Sequence, residues 1–201
     1  MIQKYKNKMN KLILSILILA MVSSCKKETK TDELTDNSIT DSVKTPESNE
    51  VSETAIPFKK IELTPDETSK MLAKKNNDTL YVTNFFATWC GPCMVEIPHF
   101  KEKMKELKGQ PVKFTFVSLD AKEDWDTKVK AFAEENHLSE NIVLVDGEQL
   151  IPEYFHANFK QWDGGSIPFT LLRKGDKTDE TVGMMSKEML NEKISSFMVS
   201  K

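Results

Sequence analysis

Three features of the sequence place residues 55–201 among α/β domains with a mainly parallel central sheet. Strand-like and helix-like segments alternate along this stretch, the pattern produced when helices cover a sheet. Leu80-Tyr81-Val82-Thr83-Asn84-Phe85-Phe86 is apolar on both parities, as expected of a central strand buried on both faces. The stretch is also long enough to bury one sizeable core.

Thr64-Pro65-Asp66-Glu67 is a capping box with proline at the first helical position, so a helix is expected over about 65–75. The strand 79–86 follows. A long helix then starts near Gly91 and ends at Gly109, with Pro98 inside it, where a missing N–H and a ring clash should kink it. Val112 to Leu119 reads as the second strand and Asp124 to His137 as the next helix. Ile142-Val143-Leu144-Val145 is a short buried strand closed by Asp146-Gly147, and Gln149 to Phe159 reads as a helix carrying Tyr154 and Phe155 into the core. Pro168 to Arg173 and Thr178 to Met184 form a hairpin turning at Lys174-Gly175-Asp176-Lys177. An amphipathic helix over 186–198 closes the sheet with Met189, Leu190, Ile194 and Phe197.

Chemistry concentrates in Trp89-Cys90-Gly91-Pro92-Cys93. If Pro92 opens a helix, Cys90 sits at its N-terminus, where free N–H groups and the positive dipole end favour a thiolate. Cys93 lies one turn in, close enough for a disulfide with Cys90. Half of a zinc site is the competing reading, but no second cysteine pair or histidine cluster supplies the four ligands zinc needs, so the pair is read as redox-active. His99, His137 and His156 are scattered and read as surface or helix-end residues, and Met184 and Met185 as strand-end packing. The charges over 101–108, with Glu102 and Glu106, read as a solvated helix face.

The 201 residues carry a formal charge of −3 and are 39% hydrophobic, a balance that points neither to general disorder nor to nucleic-acid binding. The N-terminal part differs from the rest. Lys4, Lys6, Lys8 and Lys11 precede an apolar run of eleven residues, Leu12 to Val22, short of the ~20 a spanning helix requires. Residues 1–25 therefore read as an export signal, and an unpaired third cysteine, Cys25, closes it in Val22-Ser23-Ser24-Cys25. Residues 26–54 are polar and charged and read as a disordered tether, with an r.m.s. reach of roughly 30 Å if flexible. No Gly-rich phosphate loop or dinucleotide fingerprint occurs, so no cofactor is expected.

These residues resemble the thioredoxin family over most of 55–201. Trp89-Cys90-Gly91-Pro92-Cys93 matches its active-site sequence, Pro98 its helix proline, and Ile167-Pro168 its cis-proline at the start of a late strand facing the cysteines. The strand-helix unit over about 140–160, inserted before that proline, and Glu96 in Cys93-Met94-Val95-Glu96-Ile97-Pro98 resemble the membrane-associated TlpA/ResA-like branch. Val22-Ser23-Ser24-Cys25 is similar to the lipobox of bacterial lipoproteins, whose cysteine is lipidated. The resemblance implies a thioredoxin fold, a central mixed sheet flanked by helices.

The resemblance also implies roles. Cys90 and Cys93 would exchange disulfides with protein clients, and Glu96 would take the proton from Cys93. Thioredoxin carries a buried Asp six residues before its first cysteine, whereas this chain has Asn84, which cannot exchange that proton. Trp89, Gly91, Pro92, Ile167 and Pro168 would receive the client, with Trp89 and Phe169 as candidate apolar walls or as core. Family potentials span roughly 150 mV, or ~7 kcal/mol for two electrons. Gly-Pro between the cysteines and Ile before the cis-proline resemble the reducing end, so the expectation is a monomeric reductant recharged by a membrane thiol donor. It would be lipid-anchored through Cys25 in the cell envelope and face the periplasm. A non-catalytic binding module with a structural disulfide and a thiol peroxidase are the alternatives.

Overall fold

The computed structural model describes residues 56–199. The export signal over 1–25, lipidation at Cys25 and the tether over 26–54 lie outside the described residues. Five strands form one sheet in the order β3-β2-β1-β4-β5: β1 Leu80–Phe86, β2 Val112–Ser118, β3 Ile142–Leu144, β4 Phe169–Lys174 and β5 Lys177–Val182. β1 pairs in parallel with β2 and β2 with β3, whereas β1–β4 and β4–β5 are antiparallel. The sheet is thus evenly mixed rather than mainly parallel. A two-residue connection, Gly175-Asp176, joins β4 to β5 and allows only an antiparallel return.

Residue parity in β1 divides the core. Leu80, Val82 and Phe86 face one side, packed with Phe100, Phe116, Trp125, Ile194 and Phe197, which come from β2 and from helices α2, α3 and α5. Here α2 is Gly91–Glu106, α5 is Lys187–Met198, and α3 comprises Lys122–Asp124, a π-helical turn Trp125–Val129, and Lys130–Glu135. Phe85 points the other way, into Leu72, Tyr154, Phe155, Phe159, Trp162 and Phe169. That layer contains α1, Pro65–Leu72, and α4, Pro152–Asn158. Complete burial of Phe85 and Phe86 stabilises the fold by roughly 1.5–3 kcal/mol each.

Thr64 Oγ1 accepts from the Glu67 amide at 3.2 Å and Glu67 Oε2 accepts from the Thr64 amide at 2.8 Å, the expected capping box of α1. α1 stops at Leu72, short of Lys75, because Ala73 turns extended and the Leu72 carbonyl accepts from Arg173 on β4. The helix expected over Gln149–Phe159 is broken. Pro152 disfavours helical backbone at the preceding residue, Ile151 is extended, and only a 3₁₀ turn, Gly147–Gln149, precedes α4. α3 starts before Asp124, and its wide π turn keeps both Trp125 and Val129 buried. α2 runs unbroken through Pro98, which faces solvent, and ends before Gly109, whose φ is +84°.

Lys103 corrects the reading of its helix face as wholly solvated. It is buried, with Nζ paired to Glu106 at 2.5 Å. Of the histidines, His137 and His156 are exposed, whereas His99 is half-buried with Nδ1 covered and unpartnered. Met185 is in the core, but Met184 is exposed. Residues 61–63 lie along the free side of β3, with Leu63 N–H donating to Leu144 O and Leu144 N–H to Ile61 O, which covers an otherwise open edge. Thr64→Ala should lower unfolding free energy by about 1 kcal/mol in a denaturant titration, with an unchanged m-value.

Candidate active site

Chain direction brings three segments to one end of the sheet. β1 ends at Phe86 and leads through residues 87–89 to Cys90, the N-cap of α2. The parallel neighbour β2 ends at Ser118, opposite Phe86, and leads to Asp120. The antiparallel neighbour β4 begins there instead, immediately after Pro168. The Ile167-Pro168 peptide is cis, as the resemblance implied.

Cys90 and Cys93 form a disulfide. Cys93 is fully buried and Cys90 is 5% exposed, so an incoming thiol or disulfide can reach only the first sulfur. The Cys93 amide donates to Cys90 Sγ at 3.3 Å, and Sγ lies 3.8 Å from the Ile167 carbonyl oxygen. That amide is one of the free N–H groups of the first helical turn, which stabilise negative charge on the sulfur once the bond is reduced. Among the described residues, no group of three or more His, Cys, Asp or Glu is placed to hold a metal ion.

Trp89 is 68% exposed and belongs to the rim, whereas Phe169 is fully buried and stacked on Trp162. Of the two candidate walls, Phe169 is therefore core. A cleft of about 460 Å³ opens over Cys90, lined by Trp89, Gly91, Pro92 and Leu119 on one side and by 164–167 on the other. The candidate client-contact residues Trp89, Gly91, Pro92 and Ile167 all border it. Pro168 is buried just behind Ile167, and its carbonyl accepts from Gly183 N–H at 2.8 Å.

Glu96 lies three residues after Cys93 on α2 and is fully buried. One carboxylate oxygen accepts from Asn84 Nδ2 at 2.7 Å, and the other from the Met185 amide at 2.8 Å. Asn84 also donates to Thr170 Oγ1 at 3.0 Å across the β1–β4 pair, and its own Oδ1 has no partner. Burial raises the Glu96 pKa from 4.5 to about 7, against the two hydrogen bonds, which favour the anion. A solvated helix residue is thereby excluded, and the carboxyl can hold or yield a proton near neutrality.

Two contributors escaped the reading of motifs. Asp120, fully buried, accepts from the Thr88 amide at 3.1 and 3.0 Å, from Thr88 Oγ1 at 2.5 Å and from Ser118 Oγ at 2.8 Å. Its own carbonyl accepts from Trp125 Nε1 at 2.8 Å. This single carboxylate pins the turn carrying the cysteines to the end of β2. The signal was an acidic residue just beyond a buried strand, but only the β1–β2 register places it beside Thr88. The Met185 amide, which holds Glu96, is a backbone group and leaves no mark in the sequence.

Residues 54–180 match the AhpC/TSA family over more than half of the chain. The chain belongs to the AhpC/TSA family. Among its relatives, the thiol-disulfide oxidoreductase ResA of Bacillus thuringiensis is 31% identical over 113 residues, 54% of this chain and 58% of that one. The sporulation thiol-disulfide oxidoreductase A of Bacillus subtilis is 30% identical over 113 residues, covering 55% of this chain and 64% of the relative. These matches span about six-tenths of the relatives' length. A crystal structure of a thioredoxin-family thiol:disulfide interchange protein from Chlorobium tepidum superposes with a TM-score of 0.51 at 22% identity, over 72% of this chain and 98% of that one. The fold is accordingly that of thioredoxin, with the inserted β3-α4 unit before the cis-proline.

The Glu96 shift makes a stability prediction. A carboxyl whose folded pKa lies above its unfolded value contributes stability that is complete below about pH 4.5 and is lost as pH rises through about 7. Wild type should therefore lose about 2.5 kcal/mol relative to Glu96→Gln between pH 5 and 8. Chemical denaturation of both proteins across that range measures it, and parallel curves would contradict the shift.

Proposed function

We propose that the chain is a thiol–disulfide oxidoreductase that passes electrons to protein disulfides through Cys90 and Cys93. The observation carrying this reading is the asymmetry of the pair: one sulfur opens onto a cleft at a helix N-terminus, and the other is sealed behind it. In the reduced enzyme the Cys90 thiolate attacks a client disulfide, one client sulfur leaves as thiolate, and a mixed disulfide forms. Cys93 loses its proton to the Glu96 carboxylate, attacks Cys90 Sγ and expels the second client thiolate. The client gains two electrons, and the enzyme ends with the observed Cys90–Cys93 bond. A second dithiol must then reduce that bond, and a membrane thiol protein is the proposed donor.

Backbone beside Pro168 would hold the client, with Trp89, Gly91, Pro92 and Ile167 around it. Export through residues 1–25 and lipidation of Cys25 would place a monomeric domain in the cell envelope, facing the periplasm on the 26–54 tether. The lysines, apolar run and unpaired cysteine of that segment support this placement. The names of the ResA and sporulation relatives support the chemistry.

Cys93→Ser removes the resolving thiol and should accumulate mixed disulfides between Cys90 and clients, visible on non-reducing gels, whereas Cys90→Ser should accumulate none. A purely structural disulfide would trap nothing in either variant. Single-turnover release of the reduced client should quicken as pH rises through about 7, where Glu96 becomes a base, and this inflection should vanish in Glu96→Gln. Equilibration with glutathione should give a potential nearer roughly −270 mV than −120 mV; the latter would reverse the proposed direction.

A further inference from the structure

We propose that Gly164, Gly165 and Ser166 form a client-selecting wall of the Cys90 cleft, fastened by residues 159–163 and shaped by the inserted helix α4 through the contact between Phe155 and Gly164. The inference rests on the disulfide-exchange reading above and extends it to the choice of substrate: an extended segment of a protein flanking its cysteine, in preference to a small disulfide.

This segment has no regular secondary structure, yet it is fastened along its length. Glu180 on β5 accepts from the Lys160 amide at 3.0 Å and from the Gln161 amide at 2.7 Å. Trp162 stacks on Phe169 with ring centroids 4.3 Å apart, and its Nε1 donates to Ser166 O at 2.8 Å. Asp163 Oδ1 accepts from the Gly165 amide at 2.9 Å. At Gly164, where φ is +85°, a Cβ would stand 2.4 Å from Phe155 Cζ, so the α4 ring lies directly against bare backbone. Fastening a loop in one shape lowers the ordering cost of binding.

Gly164, Gly165 and Ser166 are exposed and border the cleft beside Ile167. Two adjacent glycines leave no side chain between an approaching polypeptide and the loop backbone. A small disulfide needs to meet only Cys90 Sγ. A protein disulfide must also lay the chain on either side of its cysteine into the cleft, against this wall. Phe155, Trp162 and Glu180 touch neither sulfur, so they act as positioning residues whose loss should appear in client binding and not in the exchange itself.

The test uses the full chain with Phe155→Leu and Glu180→Ala. The second leaves the aromatic cluster intact and remains informative should the first fail to fold. Turnover of insulin with dithiothreitol as the electron donor, and single-turnover reduction of the small aromatic disulfide 5,5′-dithiobis(2-nitrobenzoate) by the prereduced chain, are followed for each, together with the redox potential. The expected result is a KM for insulin raised about fivefold or more, with kcat, the rate on the small disulfide and the potential all within about twofold of wild type. An unchanged insulin KM overturns the proposal, as does an equal slowing of both substrates, which a merely structural role would produce. A wild-type chain that exchanges with neither disulfide instead overturns the exchange reading itself, and the wall with it.

Discussion

The candidate site depends on β1 pairing in opposite senses with its two neighbours. Because β2 runs parallel to β1, its exit meets the exit of β1, and Asp120 comes within hydrogen-bond distance of Thr88. Because β4 runs antiparallel, its entrance meets the same point, and cis-Pro168 arrives beside the cysteines. Reversing either pairing would send one of these segments to the far end of a seven-residue strand, roughly 20 Å away. The helix N-terminus, the carboxylate anchor and the cis-proline loop are thus three consequences of one strand arrangement.

Within that frame, polar groups are spent where apolar ones would pack more cheaply. Asn84, Glu96 and Thr170 sit between α2 and the sheet among phenylalanines and leucines, and Asn84 Oδ1 is left without a partner. An unsatisfied buried carbonyl oxygen costs about 1–3 kcal/mol, and a neutral-range carboxyl in the same place adds to the penalty above pH 7. Departures from a well-satisfied core tend to mark functional positions. Here the departure includes Glu96, one helical turn beyond the sealed Cys93, where the proposed exchange would use a group that can take a proton.

The sequence carried much of the element order, because its signals are local. The capping box at Thr64, the two-sided burial of β1, the Gly175-Asp176 turn and the proline after Cys90 each act within a few residues, and each held. The errors were also local in origin. Pro152 breaks an apparently continuous helical pattern, and Lys103 is buried although its charge reads as solvated, because charge along a helix does not reveal which face the sheet covers. Phe169 could be wall or core on composition alone, and the parity of β4 against Phe85 settled it as core.

By itself, the sequence determined a redox-capable cysteine pair at the head of a helix, a thioredoxin-like order of elements, and Glu96 as the acid one turn beyond Cys93. The cysteine pair and Glu96 follow from spacing along a single element, and the thioredoxin-like order from the family resemblance. Tertiary structure alone decided that Glu96 is sealed and held by Asn84 and the Met185 amide, that Asp120 pins the cysteine turn, and that Phe155 of the inserted helix braces the Gly164 loop. Each joins residues between 9 and 89 positions apart along the chain, and only strand register and burial, which set distance and dielectric, can bring such groups together and shift their chemistry.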